Sequence, residues 1–294
     1  MEWDLLEKTT FWVNDVNLKG ADLDQVAEAA AKALCLQTKE VMVIDVRPGM
    51  VAFDILRRKV EAASVVGKEK EILDCLSRVA NVWVGENAGV HSEGVLGLIA
   101  LSPERGEEVL AKSSMMAEQI ATAVSRRAVV FSSGSEVKEG KIKDTNSPFI
   151  MAALKEAGYI AQFGGVLDDD EVATAASLEE AVERGFGLII STGGVGAENK
   201  DFTVEAIRRL DPRAYTPYIL KFTPDHHRHY KEGVRIAVGK VGLALLVALP
   251  GPHEEAKIGC IRLLTGLKQG MEGSALAEYI VAALRERWQA AVQK

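Results

Sequence analysis

Basic residues are scarce in this sequence relative to acidic ones. The 294-residue chain has 35 Lys and Arg against 42 Asp and Glu, which gives a formal net charge of −7 and a pI near 5.4. Binding to nucleic acid depends largely on Lys and Arg side chains that displace counterions from phosphates. We therefore exclude nucleic acid as a general partner, while a local basic patch could still hold a small anion.

Cysteine and long apolar runs are also lacking. The three cysteines, Cys35, Cys75 and Cys260, are scattered along the chain, so neither a disulfide framework nor a zinc site is predicted. No apolar run reaches the length that crosses a membrane. The first seven residues are acidic where a signal peptide would be basic. We expect a cytoplasmic protein with no membrane partner.

The first 125 residues predict a small α+β domain of the ferredoxin-like type. The predicted order is β-α-β-β-α-β, which is typical of a split β-α-β sandwich. Gly85–Gly89 is predicted to be a loop before the last strand, and a long helix is predicted to follow up to about Ser125. The predicted strands are 10–18, 40–46, 50–56 and 94–101, and the helices are 24–36 and 68–79.

Residues 126–294 predict an α/β domain in which a mostly parallel sheet carries helices on both faces. Continuous apolar strands alternate with helical segments from Arg127 onward, and this alternation is typical of parallel sheets that are buried on both sides. The predicted strands are 128–132, 159–166, 187–191, 234–238 and 243–249, and the predicted helices are 147–157, 177–184, 201–210, 253–267 and 274–292. Ligands of such sheets bind at the carboxyl ends of the strands. Polar motifs that directly follow strands are therefore the candidates for function.

A glycine-rich turn follows the apolar strand at residues 187–191. Thr192–Gly196 reads TGGVG, and Asp201–Thr203 reads DFT after a short spacer. Glycines let the backbone approach a phosphate, and N–H groups of such a turn can point at it. The turn matches neither the G-x-G-x-x-G fingerprint nor the G-K-[ST] loop. A tight strand–helix turn whose glycines serve sterics alone is the alternative interpretation.

Two further segments also follow predicted strands. Residues 133–147 read SGSEVKEGKIKDTNS, and residues 249–255 read LPGPHEE. The first is also compatible with a charged hairpin in which Asn146 or Ser147 caps the next helix. In the second, Pro252 is favourable at a helix start, and His253 is a further candidate to face the same pocket.

Together these segments resemble the molybdopterin-binding (MoaB/Mog-type) domain family, which also forms the N-terminal domain of CinA-type proteins. The family pattern runs G-[DN]-E-x(3)-G-x-I-x-D-x-N, V-x-D-D, T-G-G-x-G-x(4)-D-x-T and L-P-G-P. The similarity covers about residues 127–266. The matching residues are Gly134, Glu136, Gly140, Ile142, Asp144, Asn146, Val166, Asp168, Asp169, Thr192, Gly193, Gly194, Gly196, Asp201, Thr203, Leu249, Pro250, Gly251 and Pro252.

The resemblance implies that the chain binds molybdopterin, or a related phosphorylated pterin or nucleotide, in molybdenum-cofactor biosynthesis. Mog-type members join the pterin to AMP with ATP and magnesium, so Mg-ATP-dependent adenylyl transfer is a hypothesis. A homo-oligomer is also implied. The catalytic candidates are Asp168, Asp201 and Arg235, of which the two aspartates would hold Mg²⁺. The candidates for cofactor binding are Glu136, Asp144, Asn146, Ser147, Thr192, Gly193, Gly194, Gly196, Thr203, Pro250 and Gly251.

Two departures from the pattern keep alternatives open. Ser135 stands where an acidic or amide residue is usual, and Val234 precedes Arg235 where a serine is usual. One alternative is a CinA-like pyrophosphatase that acts on a nucleotide diphosphate such as ADP-ribose. Another is a non-catalytic cofactor carrier or sensor that uses its first domain as an interaction module. The histidine-rich segment 225–230 is interpreted as a polar loop rather than a metal site.

Overall fold

The computed structural model describes residues 1–224 and 230–292. The chain forms two compact units, of which the first ends at Glu118 and the second begins at Gln119. Among the helices of the described residues, none is both long and apolar enough to cross a membrane.

The first unit contains a four-stranded antiparallel sheet in the order β3-β4-β2-β6. Numbered along the chain, its strands lie in the order 2-3-1-4, which is the arrangement that the predicted ferredoxin-like fold requires. A short β1–β5 pair lies outside this sheet. The elements are β1 (Glu2–Asp4), β2 (Thr10–Leu18), α1 (Leu23–Ala33), β3 (Val41–Arg47), β4 (Met50–Ile55), β5 (Lys59–Glu61), α2 (Glu69–Leu76), β6 (Val82–Ser92) and α3 (Pro103–Ser125).

The predicted strand at residues 94–101 is wrong. Gly94–Ala100 forms a 3-10 helix, and the fourth strand is β6, which includes the predicted Gly85–Gly89 loop. The pairing of β6 with β2 shifts register here: Val84 pairs with Val16 and Gly89 with Asn14, so residues 85–88 lie opposite Asp15, which has φ 51. A Cβ at Gly85 would lie 2.1 Å from Oδ2 of Asp15. The glycine therefore marks a close approach of two strands and not a loop.

The second unit contains a five-stranded sheet in the order β12-β13-β9-β7-β8. All neighbouring strands run parallel except β12, which is antiparallel to β13. The elements are β7 (Arg127–Ser133), α4 (Ser135–Lys138), α5 (Asn146–Glu156), β8 (Ile160–Leu167), α6 (Glu171–Glu183), β9 (Leu188–Thr192), α7 (Thr203–Leu210), β10 (Tyr218–Lys221), β11 (Gly233–Arg235), β12 (Ala237–Val241), β13 (Ala244–Leu249), α8 (His253–Lys268) and α9 (Gly273–Val292).

Helices cover both faces of this sheet, as predicted. Val130 and Ile190 pack with α5, α8 and α9 in one buried cluster. Val129 and Ile189 pack with α6 and α7 in another. Because successive side chains of a strand point to opposite faces, a continuous apolar strand serves both clusters.

Some boundaries differ from the predicted ones. Helix α6 begins six residues before the predicted start at Ser177, because Asp170 caps it by accepting the N–H of Ala173 at 2.8 Å. The predicted strand at 234–238 is divided into β11 and β12. Strand β11 pairs with β10, which was not predicted.

The site lies where the direction of strand addition reverses. From β7 the chain adds β8 on one side and β9 on the other, and such a reversal opens a crevice at the carboxyl ends of the strands. Thr192 pairs in register with Ser132 of β7 and with Leu249 of β13. The segments that begin at Ser133, Gly193 and Pro250 therefore leave the sheet side by side.

Candidate functional site

Three successive backbone N–H groups of the glycine-rich turn are unpaired. Gly193 donates its own N–H to the carbonyl oxygen of Leu249 at 3.0 Å. The N–H groups of Gly194, Val195 and Gly196 have no partner within residues 1–224 and 230–292. Consecutive free N–H groups beside a residue with positive φ form a concavity that binds anions, and Gly193 and Gly194 have φ of 92 and 66.

The protein holds the three carbonyl oxygens that share a peptide group with these N–H groups, those of Gly193, Gly194 and Val195. Thr203 donates its hydroxyl to Gly193 O at 3.1 Å and its N–H to Gly194 O at 3.0 Å. The N–H of Arg235 reaches Val195 O at 3.3 Å. In a trans peptide the C=O of one residue and the N–H of the next point in opposite directions. The N–H groups of residues 194, 195 and 196 therefore point away from the groups that bind the carbonyl oxygens of residues 193, 194 and 195.

Glycine is required at two positions of this turn. A Cβ at Gly193 would lie 2.6 Å from the carbonyl oxygen of Ser133. A Cβ at Gly194 would lie 2.2 Å from Oγ1 of Thr203 and 2.7 Å from Oγ of Ser133. Both positions also have positive φ, so a side chain would be strained as well as obstructed. The turn is built by close contacts between three segments.

Thr192 and Thr203 use their hydroxyl hydrogens inside the protein. Both side chains are buried. Thr192 donates to Pro250 O at 3.0 Å, and Thr203 donates to Gly193 O. In this conformation the two predicted phosphate ligands shape the loop and hold it against the sheet.

Asn146 joins the first, third and fourth motifs of the predicted site. Its Nδ2 lies 3.0 Å from Oγ1 of Thr192 and 2.6 Å from Gly251 O. Its Oδ1 lies 2.7 Å from Nδ1 of His253. Gly251 in turn packs on the turn, since a Cβ there would lie 3.4 Å from Cα of Gly193. The structure thus brings these predicted residues together.

Asp144 holds the start of α5. Its Oδ1 accepts the N–H groups of Asn146 and Ser147, each at 3.0 Å, and its Oδ2 accepts the hydroxyl of Ser132. Burial raises the pKa of Asp144, but the hydrogen bonds from Ser132 and Ser147 outweigh it and leave the pKa below the ordinary value of 3.8. The N-cap residue is Thr145, whose side chain makes no cap hydrogen bond, so Asp144, rather than Asn146 or Ser147, supplies the oxygen that accepts the first N–H groups of this helix. Ser147 is buried and lies 3.0 Å from Ser132 through their hydroxyls.

Two small cavities flank the Gly251-Pro252 segment. One, of about 290 Å³, is lined by Asp144, Asn146 and His253 among others. The other, of about 240 Å³, is lined by the glycine-rich turn at residues 193–196 and also by three carboxylates, Pro250 and Trp288. Those carboxylates belong to Glu198, Asp201 and Glu255. No Lys or Arg lines the second cavity in the part of the chain that the structure describes.

Asp201 is a partly buried carboxylate at the end of the spacer that follows the turn. Its Oδ2 accepts the N–H of Glu198 at 2.8 Å and would lie 2.5 Å from a Cβ at Gly196. Burial raises the pKa of Asp201, and the neighbouring charge of Glu198 raises it further against that hydrogen bond. The charges of Lys231 and Lys200 lower this pKa without cancelling the rise, and a further cation beside the carboxylate would lower it more.

Asp168 and Glu136 are both paired with lysine side chains. Glu136 of α4 pairs with Lys200, and Lys138 of α4 pairs with Asp168, whose side chain is 53% exposed. Strand β8, which ends just before Asp168, is separated from β9 by β7, a distance of about 10 Å across two strand spacings. The structure does not bring Asp168 into contact with Asp201.

Arg235 is held in an ion-pair network. Its guanidinium lies 2.7 Å from Glu205, which also lies 3.0 Å from Nζ of Lys231. The side chains of Arg235 and Glu205 are only 17% and 23% exposed. Burial raises the pKa of Glu205, but its contacts with Lys231 and Arg235 outweigh this and lower it. The charge of Arg235 is therefore largely balanced within the protein.

Sequence reasoning missed Ser133, Glu205 and Lys231. Ser133 could have been noticed as the last residue of a strand beside the motif, whereas no local pattern marks the other two. The histidine-rich segment singled out from the sequence lies outside the described residues except for Tyr230. Within residues 1–224 and 230–292, no group of three or more His, Cys, Asp or Glu side chains is placed to hold a metal ion.

Known proteins resemble the second unit. Residues 129–268 match the family model described as a probable molybdopterin binding domain. A putative competence-damage inducible protein of Streptococcus pneumoniae (strain D39) is 29% identical, and the match covers 48% of this chain and 41% of that relative. The chain therefore spans less than half the length of this curated relative.

Solved structures also match about half of the chain. A Mog protein of molybdopterin biosynthesis from Mycobacterium ulcerans is 24% identical with a TM-score of 0.40, covering 49% of this chain and 96% of its own. A CinA protein from Thermoplasma acidophilum, described as of unknown function, is 21% identical with a TM-score of 0.39, covering 50% and 98%.

Proposed function

The second unit of this chain carries a MoaB/Mog-type molybdopterin-binding domain of the kind shared with CinA, and on this premise we propose that it binds a phosphorylated pterin or nucleotide. Molybdopterin is the leading candidate. One observation carries the proposal: the N–H groups of Gly194, Val195 and Gly196 have no partner among the described residues and point away from the groups that bind the preceding carbonyl oxygens. Such a group of amides suits a phosphate.

The charge of the cavity supports a requirement for Mg²⁺. A phosphate on these amides would face Glu198, Asp201 and Glu255 with no Lys or Arg among the described lining residues. The negative charges of the phosphate and of the carboxylates would repel one another in this small cavity, so a cation between them is needed. Mg²⁺ commonly binds through one or two carboxylates, phosphate oxygens and water, and Asp201 supplies such a carboxylate beside the amides. The ion would offset the charge of the phosphate and of Asp201.

Asp168 fits this ion less well than Asp201 does. It lies at the end of β8, exposed and paired with Lys138. Release of Lys138 would be needed before Asp168 joined a metal at the turn. We propose Asp201 as the principal metal ligand and Asp168 as a secondary one.

Calorimetry tests the binding proposal. Molybdopterin and ATP are each titrated into the protein with Mg²⁺ and then with EDTA. We expect binding that requires Mg²⁺. Asp201→Asn should weaken it at least about tenfold, because a charge-assisted contact is lost. Asp168→Asn should weaken it much less. Absence of binding for both ligands would refute the proposal.

Adenylyl transfer is the activity that we propose to follow from binding. The protein would hold the phosphates of ATP at the turn, and Arg235 would stabilise charge that develops on them. Formation of adenylated pterin and release of pyrophosphate measure it. Hydrolysis of ADP-ribose in the same assay, without pterin, would favour the CinA-like pyrophosphatase instead.

One observation favours a non-catalytic carrier or sensor as the second candidate. Arg235 and Asp168 are already paired with Glu205 and Lys138, so neither charge is free for a reacting phosphate. Tight binding of molybdopterin without turnover of ATP would favour this candidate.

From the resemblance alone we also propose a homo-oligomer. Light scattering after size-exclusion chromatography tests this proposal.

A further inference from the structure

A chain of hydrogen bonds fixes the orientation of the Asn146 amide. Thr192 donates its hydroxyl hydrogen to the carbonyl oxygen of Pro250 at 3.0 Å. Oγ1 of Thr192 can therefore only accept any further hydrogen bond. Asn146 Nδ2 lies 3.0 Å from that oxygen and 2.6 Å from Gly251 O. A carbonyl oxygen can only accept, so the group that faces it must be the NH₂ of the amide.

This orientation in turn fixes the tautomer of His253. Both hydrogens of Asn146 Nδ2 are committed, and Oδ1 faces Nδ1 of His253 at 2.7 Å. An amide oxygen only accepts, so Nδ1 carries a hydrogen. Oγ1 of Thr145, 3.2 Å from the same nitrogen, presents a second acceptor. A neutral imidazole has one N–H, so its Nε2 keeps a lone pair.

The lone pair of Nε2 is available to a ligand. No described residue hydrogen-bonds to Nε2 of His253. The ring is half-buried and packs edge-on against Phe149 with centroids 6.3 Å apart. It lines the cavity of about 290 Å³ together with Ser133 and Lys143. Gly251 and Pro252 line both this cavity and the one that is lined by the glycine-rich turn.

We propose that His253 is a ligand-binding residue whose Nε2 accepts a hydrogen bond from a hydroxyl or ring N–H of the ligand. Asn146 is its positioning residue, because it sets the tautomer. The identity of the ligand rests on the proposed function. The tautomer does not, because it is a property of the free protein.

Histidine tautomers in the free protein provide the first test. Long-range ¹H–¹⁵N spectra of ¹⁵N-histidine-labelled protein distinguish a protonated from a bare ring nitrogen, and His253 is assigned by the resonance that His253→Gln removes. At a pH where the ring is neutral, we expect Nδ1 protonated and Nε2 bare. In Asn146→Ala the Nδ1–H population should fall. An Nε2–H tautomer in the wild-type protein would overturn the proposal, whatever the variant does.

Two matched variants provide the second test. In His253→Asn the side-chain amide can reach the position of Nδ1 and keep the contact with Asn146, but nothing reaches the position of Nε2. In His253→Gln the amide reaches the position of Nε2. We expect His253→Asn to bind molybdopterin or Mg-ATP about three- to tenfold more weakly, as for one lost hydrogen bond. His253→Gln should stay within about twofold of wild type.

The outcomes separate the two proposals. Addition of ligand should shift the Nε2 resonance of the wild-type protein while Nδ1 stays protonated. Equal binding by wild type and both variants, or an unchanged Nε2 resonance at saturation, would overturn the role of His253 and leave the proposed function standing. Absence of any binding by wild type would refute the proposed function, and the tautomer of the free protein would then decide the assignment of His253.

Discussion

Gly194 and Thr203 occupy one small space: a Cβ at residue 194 would stand 2.2 Å from Oγ1 of Thr203. Thr203 also binds the carbonyl oxygens of Gly193 and Gly194. The start of α7 and the turn therefore hold each other in place. This contact keeps the free N–H groups of residues 194–196 in position. A side chain at residue 194 would disrupt it.

Gly194→Ala should lose both stability and ligand binding. Gly242→Ala is the matched control, because Gly242 has φ +57 with nothing within 4 Å of a Cβ and measures the backbone strain alone. We expect about 1 kcal/mol of destabilisation for Gly242→Ala. Gly194→Ala should lose about 2 kcal/mol more through overpacking, together with at least tenfold in the affinity for Mg-ATP measured by calorimetry. Equal unfolding free energies for the two variants would contradict this reading of the turn.

Cys260 should resist alkylation until the second unit unfolds. Its side chain is 0% exposed, and burial raises its pKa to about 12. The thiolate is the reactive form, so iodoacetamide at pH 8 should label the exposed Cys35 at least about 100-fold faster. Mass spectrometry of the labelled peptides measures both rates. Comparable rates in the native protein would show that the core around α8 opens readily.

Asp144 should make the second unit lose stability in acid. Its pKa is lowered in the fold, so its contribution is fully present above the unfolded value of 3.8 and is lost as the pH falls through the folded pKa. Asp144→Asn should lower the unfolding free energy by about 1–2 kcal/mol at neutral pH. It should also make the unfolding free energy less dependent on pH below about pH 4. Urea unfolding followed by far-UV circular dichroism at each pH gives the profile. An unchanged acid slope in the variant would exclude this role.

Asp201 should show the opposite dependence on pH. Its pKa is raised in the fold, so the folded state holds the proton more tightly and its stability declines as the pH rises from the unfolded value through the folded one. Asp201→Asn should remove this decline and leave the protein at least as stable at neutral pH, while Mg-dependent binding is lost. Such a gain in stability at the expense of function is common at binding sites. A variant less stable than wild type at neutral pH would count against it.

Glu205 should matter more to stability than an exposed ion-pair partner. Glu205→Gln leaves Arg235 and Lys231 beside a neutral group in a half-buried position, and we expect a loss of about 2 kcal/mol. Glu108→Gln is the control, because Glu108 pairs with Lys112 on the surface and such pairs often contribute nothing measurable. Thermal unfolding of both variants gives the comparison. Similar midpoints would show that the network adds little.

Local patterns predicted most of the fold. The buried strand before the TGGVG turn, β9, and the helices α5, α7, α8 and α9 are close to their predicted bounds, because apolar periodicity reports which residues are covered. The strand at 94–101 was wrong for the same reason, since an apolar 3-10 helix and a strand look alike over seven residues. Gly85 was misread because a contact with Asp15, 70 positions away in sequence, decides its role.

The sequence alone determined the domain type and which motifs line one sheet edge, since both follow from spacing within a few residues. Only the tertiary structure decided how the polar atoms are used. Thr203 donates its hydroxyl to Gly193 and Arg235 pairs with Glu205, whereas three amides and Nε2 of His253 have no hydrogen-bond partner among the described residues. A polar side chain has several possible partners along the chain, and folding selects among them through distances that spacing does not encode.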